Sequence, residues 1–227
     1  MFGTFNYPTQ LICMRSFDFV YQRFLLIGFN IILLCFIVLT SCKKDVSVSS
    51  NERINNLTPV PVVTSEFGKY TILKSNHYCD SSRFIPTEIS EMKFLVKFDS
   101  SAIYTSVLPE NQYDINKLYG FSDNGGDHHA FSARFGWRWS DKALRLFGYI
   151  YNNNFVQYKE LGVISIASEN KCSIKVTDST YIFSLNSITT SMPRKSTTAK
   201  AVGYKLFPYF GGDEIAPHDV FIYIKDL

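Results

Sequence analysis

From residue 61 to the end of the chain, no stretch sustains a helical period over three turns, whereas a period of two recurs throughout. Glu91–Phe98 (EMKFLVKF) shows it most clearly. Met92, Phe94, Val96 and Phe98 fall on one face, with Glu91, Lys93 and Lys97 opposite. Further strands are expected at Asn116–Ser122, Phe131–Trp139, Ala143–Tyr151, Phe155–Ser165, Cys172–Thr177, Thr180–Leu185, Ala201–Phe210 and Asp219–Lys225. Clusters of Asn, Asp, Gly and Ser divide them, including the turn at Asn152-Asn153-Asn154 and the tight Asp178-Ser179 turn. Ser187–Thr198, rich in Ser and Thr with Pro193 inside, is expected to be a loop. Pro208 sits late in its strand and marks an edge or a strand end. Many short strands with turn signals between them predict an all-β, antiparallel two-sheet sandwich or barrel over residues 61–227.

The N-terminal part has a different texture. Phe24–Leu39 is a 16-residue apolar run preceded by Arg15 and Arg23, and it leads into Leu39-Thr40-Ser41-Cys42. A membrane span needs about 20 apolar residues, and this run is shorter and carries Asn30. The LTSC tetrad resembles the lipobox of bacterial lipoproteins. That resemblance implies a signal peptide over residues 1–41, acylation of Cys42 after cleavage, and a Gram-negative envelope protein anchored in a membrane by lipid. The outer membrane is the expected one. A 41-residue signal is long against the usual range of about 15–30, and Met14-Arg15 is the expected true start. Residues 42–60, rich in Ser and Asn, read as a lipidated flexible tether.

The formal net charge of +3 is spread without a polybasic block, which argues against a nucleic-acid partner. Removal of the signal and acylation of Cys42 leave two free cysteines, Cys79 and Cys172. An envelope compartment permits a disulfide between them; separate buried thiols fit the spacing equally well. Their spacing matches no metal-ligand motif.

The strand pattern over about Ser65–Leu227, with the ending FPYFGGDEIAPHDVFIYIKDL, resembles the concanavalin A-like jelly roll of lectins, laminin-G-like modules, glucanases and some polysaccharide lyases. The resemblance implies two large curved sheets and a glycan partner, but brings no diagnostic catalytic motif, and fold alone does not fix function.

The hairpin around Ser140–Lys142 is the most informative stretch. Pairing Trp139 with Leu144 puts Ala133, Phe135, Trp137 and Trp139 on one face with Leu144, Leu146 and Ile150. The opposite face then carries Ser132, Arg134 and Arg138 beside Arg145, Phe147, Tyr149 and Tyr151. Arg138 lies directly opposite Arg145, an arrangement that costs a few tenths to about 1 kcal/mol. A neighbouring acid, open solvent or an anionic ligand would offset it. Arginine forks match carboxylates, and aromatic faces stack on sugar rings. Arg134, Arg138, Arg145, Tyr149 and Tyr151 are therefore the candidate glycan-binding residues, with an acidic polysaccharide as the expected partner.

A retaining glycosidase needs two carboxyls about 5–5.5 Å apart, which on one strand means even spacing. The nearest pair, Glu88 and Glu91, has odd spacing. A polysaccharide lyase needs no such pair, and the jelly-roll resemblance would assign its acid/base work to Tyr149 and His128, with Tyr151 and Arg134 beside them. Non-catalytic glycan binding is the leading expectation, with a lyase or a structural, protein-binding envelope module as alternatives. No cofactor and no metal site is expected. The Asp123–Asp127 loop (DNGGD) offers two carboxylates to calcium but lacks the full ladder of a calcium loop. His77, His129 and His218 carry no specific signal.

Overall fold

The computed structural model describes residues 66–227. The signal segment, Cys42 and the tether lie outside the described residues. Twelve strands run in chain order: β1 (Gly68–Ile72), β2 (Pro86–Ile89), β3 (Glu91–Phe98), β4 (Asn116–Ser122), β5 (Phe131–Ser140), β6 (Ala143–Asn152), β7 (Phe155–Ile164), β8 (Asn170–Val176), β9 (Thr180–Leu185), β10 (Ile188–Pro193), β11 (Ala201–Leu206) and β12 (Val220–Asp226). They form two antiparallel six-stranded sheets, ordered β1-β12-β3-β8-β9-β10 and β2-β11-β4-β5-β6-β7. Short 3-10 turns at Ser100–Ala102 and Pro109–Tyr113 complete the described elements. The architecture is the all-β jelly-roll sandwich expected of the sequence. No helix among the described residues is long and apolar enough to cross a membrane.

The alternation in β3 becomes burial: Met92, Phe94, Val96 and Phe98 are buried, while Lys93 is exposed. Across the sandwich they meet the inward face of β5. Phe94 packs edge-on to Phe135 at 5.5 Å, Phe135 to Phe183 at 5.4 Å, and Phe98 tilts against Trp137 at 5.3 Å. Each such pair adds roughly 0.5–1.5 kcal/mol beyond the area it buries. Trp137 is fully buried and Trp139 packs against the same core.

The β5–β6 hairpin adopts the expected register, with Trp139 opposite Leu144 and Arg138 opposite Arg145. Its two-residue turn, Asp141-Lys142, takes positive φ at both positions (52° and 58°), as does the β6–β7 turn at Asn153-Asn154 (50° and 66°). Those angles match the twist of tight hairpins, and Asn and Asp tolerate them best.

Four strands depart from the sequence reading. Ile188–Pro193 is a strand rather than a loop. It pairs with β9 from Ile188↔Leu185 to Pro193↔Thr180, and its edge position suits both a terminal Pro and Ser/Thr side chains facing solvent. The strand expected to reach Phe210 ends at Leu206. β1 and β2 are short and carry few buried residues, so their alternation is weak in the sequence. Cys79 and Cys172 are both buried free thiols, which resolves the open pairing in favour of separate thiols.

Candidate functional site

The outward face of the β2-β11-β4-β5-β6-β7 sheet carries a groove, and Arg134 lies at its floor. Arg134 projects from the middle of β5, flanked by Gly120 of β4 and Tyr149 of β6. A Cβ at Gly120 would collide with the Ala133 carbonyl and the Arg134 backbone, so the close approach of β4 to β5 under this arginine requires glycine. Arg134 is only 6% exposed, yet it forms no hydrogen bond and no ion pair among the described residues, and its Nε is buried without a partner. Its one described interaction is with the Tyr149 ring, 5.4 Å from the guanidinium. Burial pulls its pKa down from the ordinary arginine value.

Lys117 of β4 leans over the same Tyr149 ring at 4.7 Å and donates from Nζ to the Ile115 carbonyl at 2.6 Å. Burial first, then the Arg134 charge, lower its pKa to about 8, with Asp114 opposing. The cavity above these two cations has a volume of about 540 Å³. Arg83, Lys117, Arg134 and Lys205 line it, and among the described residues no carboxylate does. Lys205 is spoken for by Asp226 at 3.0 Å. Exposed aromatic rings stand at the rim: Tyr78 is 69% and Phe84 72% exposed. Tyr78 meets Tyr209 edge-on at 5.0 Å and Phe84 tilts against Tyr204 at 5.4 Å. A second cavity of about 270 Å³ shares Lys117 and Gly212 with the first and is walled by Tyr113, Tyr149 and Tyr158. Tyr149 and Tyr158 are stacked within 11° of parallel.

One wall of the larger cavity is the loop before β5. His128 Nδ1 lies 2.9 Å from the Tyr204 hydroxyl, which also accepts from the His128 backbone N–H at 3.2 Å. Burial lowers the His128 pKa, with Arg134 and His129 adding to the effect, so the imidazole is neutral at pH 7. Burial, then Tyr151, raise the Tyr149 pKa well above the ordinary phenol value.

Of the residues singled out in the sequence, Arg134, Tyr151 and His128 line the larger cavity and Tyr149 the smaller one. Arg138 and Arg145 line neither. Arg138 donates to the Tyr113 carbonyl at 2.7 Å and packs on Phe147, while Arg145 sits between Glu160 at 2.9 Å and Asp141 at 3.3 Å. Neighbouring acids on Arg145 thus offset the like-charge pair. The two carboxylates of the DNGGD loop diverge. Asp123 turns inward to Arg194, and only Asp127 stays beside the groove. Glu88 is on β2 and Glu91 on β3, in different sheets. His77 donates from Nδ1 to the Phe210 carbonyl and stacks on Tyr209, and His218 donates from Nε2 to the Ser101 carbonyl.

Lys117, Tyr204 and Tyr209 were not singled out by the sequence. Strict alternation within Asn116–Ser122 puts Lys117 on one face with Tyr119 and Phe121, and the register shift between Lys117 and Gly120 that separates them is not visible in it. What it also omits is that β11, more than 80 residues later, lies beside β4, with Lys205 opposite Phe121.

No protein-family model matches the chain, and no curated protein matches it. Among solved structures the chain is similar to a glycoside hydrolase family 16 endo-glucanase from Bacteroides ovatus, at 12% identity and TM-score 0.46, covering 71% of this chain and 80% of that one. It is similar also to the alginate lyase AlyC3, at 8% identity and TM-score 0.48, covering 70% and 72%. A carbohydrate-binding module from Bacillus subtilis aligns at 9% identity and TM-score 0.33, covering 69% and 92%. With TM-scores below 0.5, these likenesses bear on neither substrate nor residue roles, which rest on the groove itself.

Proposed function

We propose that this protein binds an acidic glycan in the groove over Arg134, as an envelope lipoprotein held to its membrane through Cys42. The observation that carries the binding reading is the buried, unpartnered guanidinium. Taking a charge out of water costs several kcal/mol unless a counter-charge or hydrogen bonds replace the solvent. Arg134 has neither within the described residues, and no carboxylate lines the cavity around it. A uronate or other carboxylated sugar would supply both at once, since a carboxylate accepts two parallel N–H bonds from a guanidinium fork. Lys117 adds a second positive charge, and the aromatic rim offers faces on which sugar rings stack.

Affinity electrophoresis tests this reading. The purified protein is run through gels containing a polyuronate, a sulfated glycan or a neutral β-glucan. Retardation by the polyuronate with little effect of the neutral glucan is the expected result; equal mobility in all gels would overturn it. The anchor has its own test. Labelled palmitate incorporated by the wild type should be lost in Cys42→Ser, and label retained in that variant contradicts acylation at Cys42.

A second reading, a lyase in the same groove, is favoured by one observation: the His128–Tyr204 pair stands on the wall of the cavity that holds Arg134. In a β-elimination a base removes the proton next to the sugar carboxylate, the glycosidic C–O bond breaks, and an acid protonates the departing oxygen. Neutral His128 suits the base and a phenol the acid, while Arg134 would hold the carboxylate. Loss of polymer from the gel, with an unsaturated product absorbing in the ultraviolet, would establish it. Intact polymer leaves a binding module.

A further inference from the structure

We infer that Asp127, His128 and His129 form a binding site for a divalent transition ion of the zinc class on the groove wall. The three residues are consecutive, and each presents a ligand atom, all within 4.8 Å of one another. The separations are close to what coordination requires. Asp127 Oδ2 lies 3.6 Å from His128 Nδ1, and Asp127 Oδ1 lies 3.3 Å from His129 Nδ1. Ligands held about 2.0–2.2 Å from a tetrahedral ion stand roughly 3.3–3.6 Å apart. The two contacts use different oxygens of Asp127, so a turn of the carboxylate and of the imidazoles brings two nitrogens and one carboxylate oxygen onto one ion.

The surroundings supply a second observation. The Tyr204 hydroxyl is 2.9 Å from His128 Nδ1 and 3.5 Å from Asp127 Oδ2. An ion taking His128 Nδ1 would replace that contact and leave the Tyr204 hydroxyl to hydrogen-bond to a bound water. His129 packs edge-on against Tyr151 at 5.3 Å, and the two histidine rings lie 4.1 Å apart, so both imidazoles are oriented before any ion arrives. The donor set of two nitrogens and one oxygen suits zinc, and suits calcium poorly, since calcium takes six to eight oxygens. The site also faces the cavity, because His128, His129 and Tyr204 all line it. Arg134 opposes a cation there through space, and the Asp127 charge offsets that opposition. A bound ion would add to the positive charge of the groove. Metal binding itself does not depend on the glycan reading.

Equilibrium dialysis of the purified, chelator-treated protein against zinc alone tests the inference, with cobalt as a spectroscopic probe. The wild type should take up one equivalent at micromolar zinc and show the intense visible absorption of tetrahedral cobalt. His129→Ala removes an exposed ligand with little risk to folding, and His128→Ala removes the second. Each should weaken zinc binding at least tenfold, with circular dichroism unchanged. Absence of zinc uptake by the wild type would overturn the site, as would unchanged affinity in folded His129→Ala. Polyuronate retardation without added metal, measured on the same sample, keeps failure of the metal site distinct from failure of the glycan reading.

Discussion

Arg134 and Arg194 are both buried arginines in this sandwich, and they differ in their hydrogen-bond and charge partners. The Arg194 side chain is fully buried and makes five hydrogen bonds. Two reach Asp123, at 2.7 and 3.2 Å, and the others reach the Thr177 and Lys200 carbonyls and the Thr198 hydroxyl. Tyr181 donates to Asp123 from the far side at 2.6 Å. Burial alone would raise the Asp123 pKa, but the bonds from Arg194 and Tyr181 outweigh it and lower it. This network ties the segment after β10 to the end of β4. Arg134 has a comparable degree of burial and none of these partners. A charge whose desolvation is compensated inside the protein serves the fold. One left uncompensated beside a cavity is available to a ligand.

Breaking the paired arginine should give the largest effect. Arg194→Met leaves the Asp123 carboxylate buried without its counter-charge, and a loss of about 3–5 kcal/mol in urea unfolding is expected. A loss below about 1 kcal/mol would erase the contrast. The same network sets an acid limit. A carboxyl with a lowered folded pKa contributes stability above its unfolded value, near 3.9, and that contribution is lost as pH falls through the lower folded value. The wild type should therefore lose stability steeply below about pH 4, and Arg194→Met much less so.

Arg134→Met should behave in the opposite sense. Removing an uncompensated buried charge should leave stability unchanged or improved, while binding of a polyuronate weakens by about 10–100-fold, the equivalent of a charged hydrogen bond worth about 1.5–3 kcal/mol. Lys117 sharpens the contrast through pH. Its ammonium is fully charged below its pKa of about 8 and loses its charge as pH rises through it. Affinity for an acidic glycan should fall several-fold between pH 7 and 9, a decline absent in Lys117→Met. Retention of the pH dependence in that variant would remove Lys117 from the site. The smallest effect is expected at the far end of the sheet. Replacing Arg138 and Arg145 together by Met should cost less than about 1 kcal/mol, because their partners are partly exposed, and should change glycan affinity less than threefold. A large loss of affinity would extend the groove to that end.

The β5–β6 hairpin was legible in the sequence to the residue. Alternation of period two fixes which side chains share a face, and a two-residue Asp-Lys turn leaves one register, so Arg134 and Tyr149 were placed on the outward face correctly. The paired state of Arg145 was also foreseeable, since Glu160 is on the next strand. What alternation does not carry is the order of strands that are distant in the chain. The neighbours of Arg134 across the groove, Tyr204 and Tyr209, arrive with β11 and the segment after it. Nor does it distinguish Arg134 from Arg194 by partner. Arg194 fell in a stretch read as a loop, and its acid lies 71 residues earlier. Whether a buried charge is compensated depends on such long-range contacts.

The most direct test is thermal unfolding of the wild type and Arg134→Met with and without a saturating polyuronate oligosaccharide. A ligand that binds only the native state raises the melting temperature by an amount that grows with the logarithm of its concentration over Kd. The expected result is that Arg134→Met alone melts at or above the wild-type temperature, and that the oligosaccharide raises the melting temperature of the wild type clearly more than that of the variant. A variant that melts well below the wild type, or that is stabilised by the oligosaccharide as strongly, would contradict the assignment of Arg134 to a ligand.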